Sequence, residues 1–245
     1  MSAPRFFCSM ALAVGEHVRL PTDVFHHAIR VRRLRTGDEL ILFGGDGVEA
    51  LARLATVDRD QATAEVRSVT VVERESPVAV TLLQGISAGD RMDYTLQKAV
   101  ELGVVAIVPV LAERSIVRLT GDRADKRNAH WRQVVISACE QCGRNRIPEV
   151  SPQMTLRDAL SKFSAAGTMH RFVLSVEGGH RLRELATPSN PVALLAGPEG
   201  GLTTLEETAA RDAGFAPLSL GPRVLRTETA AVAALAAMQA IWGDG

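Results

Sequence analysis

Up to residue 72, apolar side chains come in short runs divided by turn residues. Phe6 and Phe7 fall in a first short strand, Glu39–Phe43 in a second, and Val48–Val57 and Ala62–Val72 flank the turn Asp58-Arg59-Asp60. Gly44-Gly45-Asp46-Gly47 has hairpin-turn chemistry. Between the first strands, Val24, Ala28, Val31 and Leu34 share one face over 23–34, which predicts a short amphipathic helix with a basic outer side.

Beyond Glu73-Arg74-Glu75-Ser76-Pro77 the pattern changes to strand–helix–strand. Val78–Gln84 reads as a strand. Met92, Leu96, Ala99 and Val100 make the stripe of a helix that Gly103 stops, and Val104–Leu111 is the next strand. Trp131, Val134, Val135 and Ala138 define another helix face. Val192–Ala196 is five apolar residues between turn residues, which suits a strand buried on both faces of a parallel sheet. Thr203 and Glu206 have capping-box spacing, so a helix starts there and runs to about Gly214. Phe215–Leu220 is a short strand, and Thr227–Trp242 a helix that stays apolar on all sides. The order predicts a small β-rich domain over 1–72, a linker over 73–77 and an α/β domain with a parallel sheet over 78–245.

Two loops stand at the carboxyl ends of the last two strands, where open α/β sheets bind ligands. The first is Gly197-Pro198-Glu199-Gly200-Gly201 and the second Gly221-Pro222-Arg223-Val224-Leu225-Arg226. Neither has the Lys and spacing of a Walker loop or the dinucleotide fingerprint. Glu199 would repel a phosphate, so a neutral or cationic ligand held through backbone groups fits better.

These loops, with Leu220 before the second and Thr227-Glu228-Thr229-Ala230 after it, resemble the cofactor end of the SPOUT methyltransferases. More narrowly, they resemble the bacterial family that methylates N3 of a uridine in 16S ribosomal RNA. Gly89-Asp90-Arg91-Met92, Gln97-Lys98-Ala99 with Glu101-Leu102-Gly103, and Glu140-Gln141-Cys142-Gly143-Arg144 carry the likeness along the chain. The departures are Ala88, where that family commonly has Lys, and Cys142, where it has Ser. The resemblance implies a C-terminal SPOUT domain with a trefoil-knotted parallel sheet and a PUA-like β-barrel RNA-binding domain at the N-terminus. It also implies bound S-adenosylmethionine, a homodimer, and 16S ribosomal RNA of the small ribosomal subunit as the substrate. The cofactor residues it implies are Leu195, Gly197, Pro198, Glu199, Gly200, Gly201, Leu220, Gly221, Val224, Leu225, Thr229 and Ala230.

Uracil N3 must lose its proton around the time of attack, and charge then spreads onto O2 and O4. Arg226, at the mouth of the second loop, is the candidate to stabilise that charge, and Glu199 or Glu228 to accept the proton. Two other readings remain open. One is a non-enzymatic RNA- or ribosome-binding protein of this fold, and the other a nucleotide-dependent α/β enzyme.

Formal net charge is zero, but its distribution is uneven. Residues 1–35 hold six Arg against two acids, and residues 113–146 hold eight basic against four acidic residues. Two basic islands on a neutral chain suit a defined RNA patch, with Arg5, Arg30, Arg32, Arg33, Arg35, Arg114 and Arg144 as candidates, and Arg91, outside the islands, as a further one. Cys8, Cys139 and Cys142 are too few for a disulfide framework, and neither they nor His26-His27 form a metal set, so no metal is expected. No apolar run reaches a membrane span and no charged-then-apolar leader opens the sequence, so no membrane association and a cytoplasmic location are expected.

Overall fold

The computed structural model describes residues 3–117 and 120–245. The chain divides into two compact units, the first up to Glu75 together with Cys139–Ile147, and the second made of Ser76–Ala138 and Pro148–Gly245. The break between Glu75 and Ser76 falls inside the expected linker. The return of Cys139–Ile147 to the first unit is not visible in the pattern, because it depends on contacts far apart in sequence.

In the first unit β1 (Arg5–Phe7), β2 (His17–Arg19), β3 (Glu39–Phe43), β4 (Val48–Val57) and β5 (Ala62–Val71) form one sheet in the order β1-β3-β4-β5-β2. Only β1–β3 is parallel. Alternate residues such as Leu40, Leu42, Ala50, Ala52, Ala62 and Ala64 face one core, as a period of two requires. The helix expected over 23–34 is α1 (Thr22–Phe25) followed by a π-helical stretch, His26–Val31. Its wider turn changes the face: Val24, Phe25 and Ala28 are buried, whereas Val31 is 67% exposed. The expected place of Val31 on the core face is therefore corrected by the change of helical period.

Cys139–Ile147 is tied to this unit by buried polar groups. Asn145 donates to Glu49 and to the Val72 carbonyl, and Arg5 donates to Asn145 and to Glu49. Burial pushes the Glu49 carboxyl up, but hydrogen bonds from Arg5, Asn145 and Arg74 outweigh it and hold the carboxyl below its ordinary value. Arg144 is buried and forms a two-point pair with Glu75. Arg5 and Arg144 are thus removed from the RNA candidates, because their guanidinium groups are spent holding the unit together. Cys139 is buried and its thiol is pushed up to about 12, so the C-x-x-C spacing carries no reactive thiolate there.

Glu140 sits in the same unit, accepting the Phe7 amide at 3.0 Å. Burial raises its pKa above the ordinary value. The folded state then holds its proton more tightly than the unfolded state, so this group costs stability as pH rises from the unfolded value through the folded one. Glu140→Gln keeps the acceptor and removes the charge. It should raise the melting temperature at pH 7, and the gain should vanish at a pH below the unfolded carboxylate value. Thermal melts of both proteins across that range check this.

The second unit contains β6 (Val80–Gly85), α2 (Gly89–Glu101), β7 (Ala106–Leu111), α3 (Asp122–Cys142, whose last turn joins the first unit), β8 (Glu149–Val150), β9 (Met154–Thr155), α4 (Leu156–Ser164), β10 (His170–Leu174), β11 (Val192–Ala196), α5 (Thr204–Asp212), β12 (Ala216–Leu218) and α6 (Thr227–Trp242). Its strands are all parallel, in the order β12-β10-β11-β6-β7-β8, with β9 also on β7. Leu83, Val108, Val110, Val173, Ala193 and Leu195 pack with Leu160, Phe163 and Phe215. β11 is buried at all five residues, as expected of an interior parallel strand. The Thr203–Glu206 capping box forms in both directions. Among the described residues no helix is long and apolar enough to cross a membrane.

Candidate functional site

β12, β10 and β11 are consecutive in the sheet, so the loops leaving their carboxyl ends converge. They enclose a cavity of about 460 Å³, within the range of small-molecule sites. Both glycine loops line it: Gly197 to Gly201 on one side, and Leu220, Gly221 and Arg223 to Glu228 on the other. Ala230 closes it from α6.

Two arginines hold the first loop, Arg114 from beyond the end of β7 and Arg91 from the first turn of α2. Arg114 Nη1 donates to the Gly200 carbonyl at 3.0 Å. A Cβ at Gly200 would lie 2.8 Å from Arg114 Cβ, so glycine there allows this arginine to pack against the loop. Arg91 Nη1 lies 3.4 Å from Glu199 Oε1, which also accepts the Ala88 amide at 2.7 Å. Glu199 therefore braces the entry to α2. Its Oε2 and the Glu228 Oε2 are buried and have no hydrogen-bond partner among the described residues. Two orphaned carboxylate oxygens in the wall are an unfavourable arrangement unless a ligand donor or cation meets them.

Arg226 precedes α6, is exposed, and lines the cavity; its side chain makes no hydrogen bond or ion pair among the described residues. Two expected cofactor residues fall elsewhere. Leu195 points into the core beside Leu83 and Ala193, because alternation along β11 turns it away from the loops. Thr229 is exposed and outside the cavity wall, one position round the helix from Ala230. Sequence reasoning missed Leu174, Ser175 and Val176 at the end of β10, and Glu207 on α5, all of which line the cavity. Ser175 Oγ donates to Glu207 Oε2 at 3.4 Å. The short β10 run was the available signal, but nothing in it tells which strand lies next to β11.

Residues 74–239 match the family model of the RNA methyltransferase domain, and residues 20–67 that of the RNA methyltransferase PUA domain. The ribosomal RNA small subunit methyltransferase E of Buchnera aphidicola is 32% identical over 98% of this chain and 97% of its own length. The chain belongs to this RNA methyltransferase family. A crystal structure of the ribosomal RNA small subunit methyltransferase E of Neisseria gonorrhoeae, bound to S-adenosyl methionine, is 45% identical, covers 99% of both chains and has a TM-score of 0.92. A putative methyltransferase of Legionella pneumophila in complex with the same cofactor is 37% identical over 100% of both chains, with a TM-score of 0.96. Membership fits the mixed α/β architecture, the parallel sheet and the PUA domain expected at the N-terminus.

Proposed function

We propose that this protein transfers a methyl group from S-adenosylmethionine to N3 of a uridine in 16S ribosomal RNA, within the small ribosomal subunit, in the cytoplasm. The observation that carries the reading is the cavity between the two glycine loops with its orphaned carboxylates. S-adenosylmethionine is cationic at its sulfonium and ammonium groups, and the unpartnered Glu199 Oε2 suits such a ligand. Gly197, Pro198, Gly200, Gly201, Leu220, Gly221, Val224, Leu225 and Ala230 would hold it. When bound, the cofactor supplies an electrophilic methyl group.

The chain's own residues supply position and charge. Arg226 faces the charge that develops on the uracil oxygens. Glu199 Oε1 is committed to Ala88 and Arg91, so Glu228 is assigned the proton leaving N3. Calorimetry with S-adenosylmethionine and mass spectrometry of 16S RNA treated with the protein test the reading. Absence of cofactor binding would remove it and favour a non-enzymatic RNA binder. Competition by ATP but not by S-adenosylhomocysteine would favour a nucleotide-dependent enzyme.

RNA is met in part by the first unit. Arg33 and Arg35 are exposed, and their guanidinium groups have no hydrogen-bond or ion-pair partner among the described residues, whereas Arg30 is anchored to the Arg59 carbonyl at 2.7 Å. Replacing Arg33 and Arg35 with Ala should weaken RNA binding and reduce the slope of log affinity against log salt by about 0.7–0.9 per lost phosphate contact. Cofactor affinity should be unchanged. Filter binding at several salt concentrations checks this, and an unaltered slope would return both residues to a solvated surface.

A homodimer is part of the proposal. α6 has seven Ala between Ala230 and Ala240, and Ile241 is 46% exposed at its end. Small and apolar residues open to solvent on a helix that also covers the core suit a second copy. Sedimentation at micromolar concentration should give a dimer mass, and a monomer would remove this part.

A further inference from the structure

Gln84 is fully buried in β6, an interior strand between β11 and β7. Its Oε1 has no hydrogen-bond partner among the described residues, so the amide's place there rests on what its Nε2 donates to. Its Nε2 lies 3.0 Å from the Gly85 carbonyl, 3.3 Å from Thr227 Oγ1 and 3.5 Å from the Gly197 carbonyl. Swapping the amide would set its oxygen against two carbonyls, so the donor end is fixed on this side. Thr227 Oγ1 in turn donates to the Gly197 carbonyl at 2.7 Å.

Three chain segments therefore meet at one buried point. Gly197 opens the first glycine loop, and Thr227 is the first residue of α6, where the second loop ends. Thr227 also stands between Arg226 and Glu228, both of which line the cavity. Neither Gln84 nor Leu195 is in the cavity wall, but only Gln84 is bonded to both loops.

We infer that Gln84, acting through Thr227, is a positioning residue that sets the spacing of the two cofactor loops and the aim of Arg226 and Glu228. This rests on the proposed function of the cavity. Binding energy and rate both depend on holding groups to a fraction of an ångström, so loosening the junction should affect both.

The test uses Gln84→Met, Thr227→Val and Thr227→Ser in the full-length protein. Each is close in volume to the residue it replaces, and Ser restores the hydroxyl. S-adenosylmethionine affinity by calorimetry, kcat on 16S RNA, and melting temperature are measured for each. Gln84→Met and Thr227→Val should each weaken the cofactor by about 10-fold, the scale of one or two lost neutral hydrogen bonds, and lower kcat further. Thr227→Ser should stay within about 2-fold of wild type, since its hydroxyl reforms the bond. The double variant Gln84→Met with Thr227→Val should lose less than the product of the two, as expected of one shared junction. Wild-type affinity in both single variants, affinity lost in step with melting temperature, or Thr227→Ser as damaged as Thr227→Val would each overturn the inference and leave the cavity reading intact. Failure of the wild-type protein to bind S-adenosylmethionine would overturn both.

Discussion

Arg226→Ala is expected to lower kcat by about 10²–10³-fold, the usual scale for removing one preorganised electrostatic donor. Melting temperature should stay at the wild-type value. The Arg226 side chain makes no hydrogen bond or ion pair among the described residues, and its structural link to α6 is the backbone carbonyl, which the Ala230 amide reaches at 2.8 Å. Alanine keeps that carbonyl. S-adenosylmethionine affinity should change little, because the guanidinium is assigned to the base and the cofactor already has cationic groups. Arg226→Lys should recover only part of the rate, since an ammonium lacks the planar fork that can address two oxygens. Single-turnover methylation of 16S RNA, with calorimetry beside it, separates the two effects. If cofactor affinity falls together with kcat, Arg226 shapes the loop, and Arg223, also exposed in the cavity wall, becomes the candidate for the uracil oxygens.

The second large effect is at Gly85, where β6 ends under the first glycine loop. A Cβ there would lie 2.4 Å from the Pro198 backbone nitrogen and 2.7 Å from the Gly197 carbonyl carbon. Backbone on a loop already pinned by Thr227 and Gln84 cannot move aside as a flexible side-chain tip would. Gly85→Ala should therefore destabilise by about 3 kcal/mol or more, at the upper end of overpacking costs. For a chain of this length that corresponds to a fall in melting temperature of roughly 6–12 °C, with loss of cofactor binding. Differential scanning calorimetry and a cofactor titration measure both. A Gly85→Ala protein with wild-type melting temperature and affinity would show that the loop is held less tightly than these contacts indicate.

Most secondary structure near the site was legible because its signals are local. β11 announced itself as five apolar residues, α5 by its capping box, and α6 by Thr227 to Trp242. The two glycine loops were legible for the same reason, and nine of the eleven other cofactor candidates besides Glu199 lie in the cavity wall. What failed was whatever depended on partners distant in sequence. Leu195 and Thr229 sit beside true wall residues in the chain, but strand alternation and helix rotation turn them away. Arg5 and Arg144 read as free cations until Glu49, Asn145 and Glu75 are seen against them.

The sequence by itself determined most of the elements and the two loops, because periodicity, capping and turn chemistry are written in neighbouring residues. Tertiary structure alone decided which loops meet and which charges remain free. Pairing of β11 with β6 sets residues 84 and 197 side by side, the start of α6 brings residue 227 to the same buried point, and no local pattern encodes it. It also decided that Glu199 is a brace while Arg226 is open, since a charged side chain's role depends on what the fold sets beside it. The physical reason is the range of the interactions: backbone preferences act over a few residues, whereas burial and ion pairing are settled only when distant segments pack.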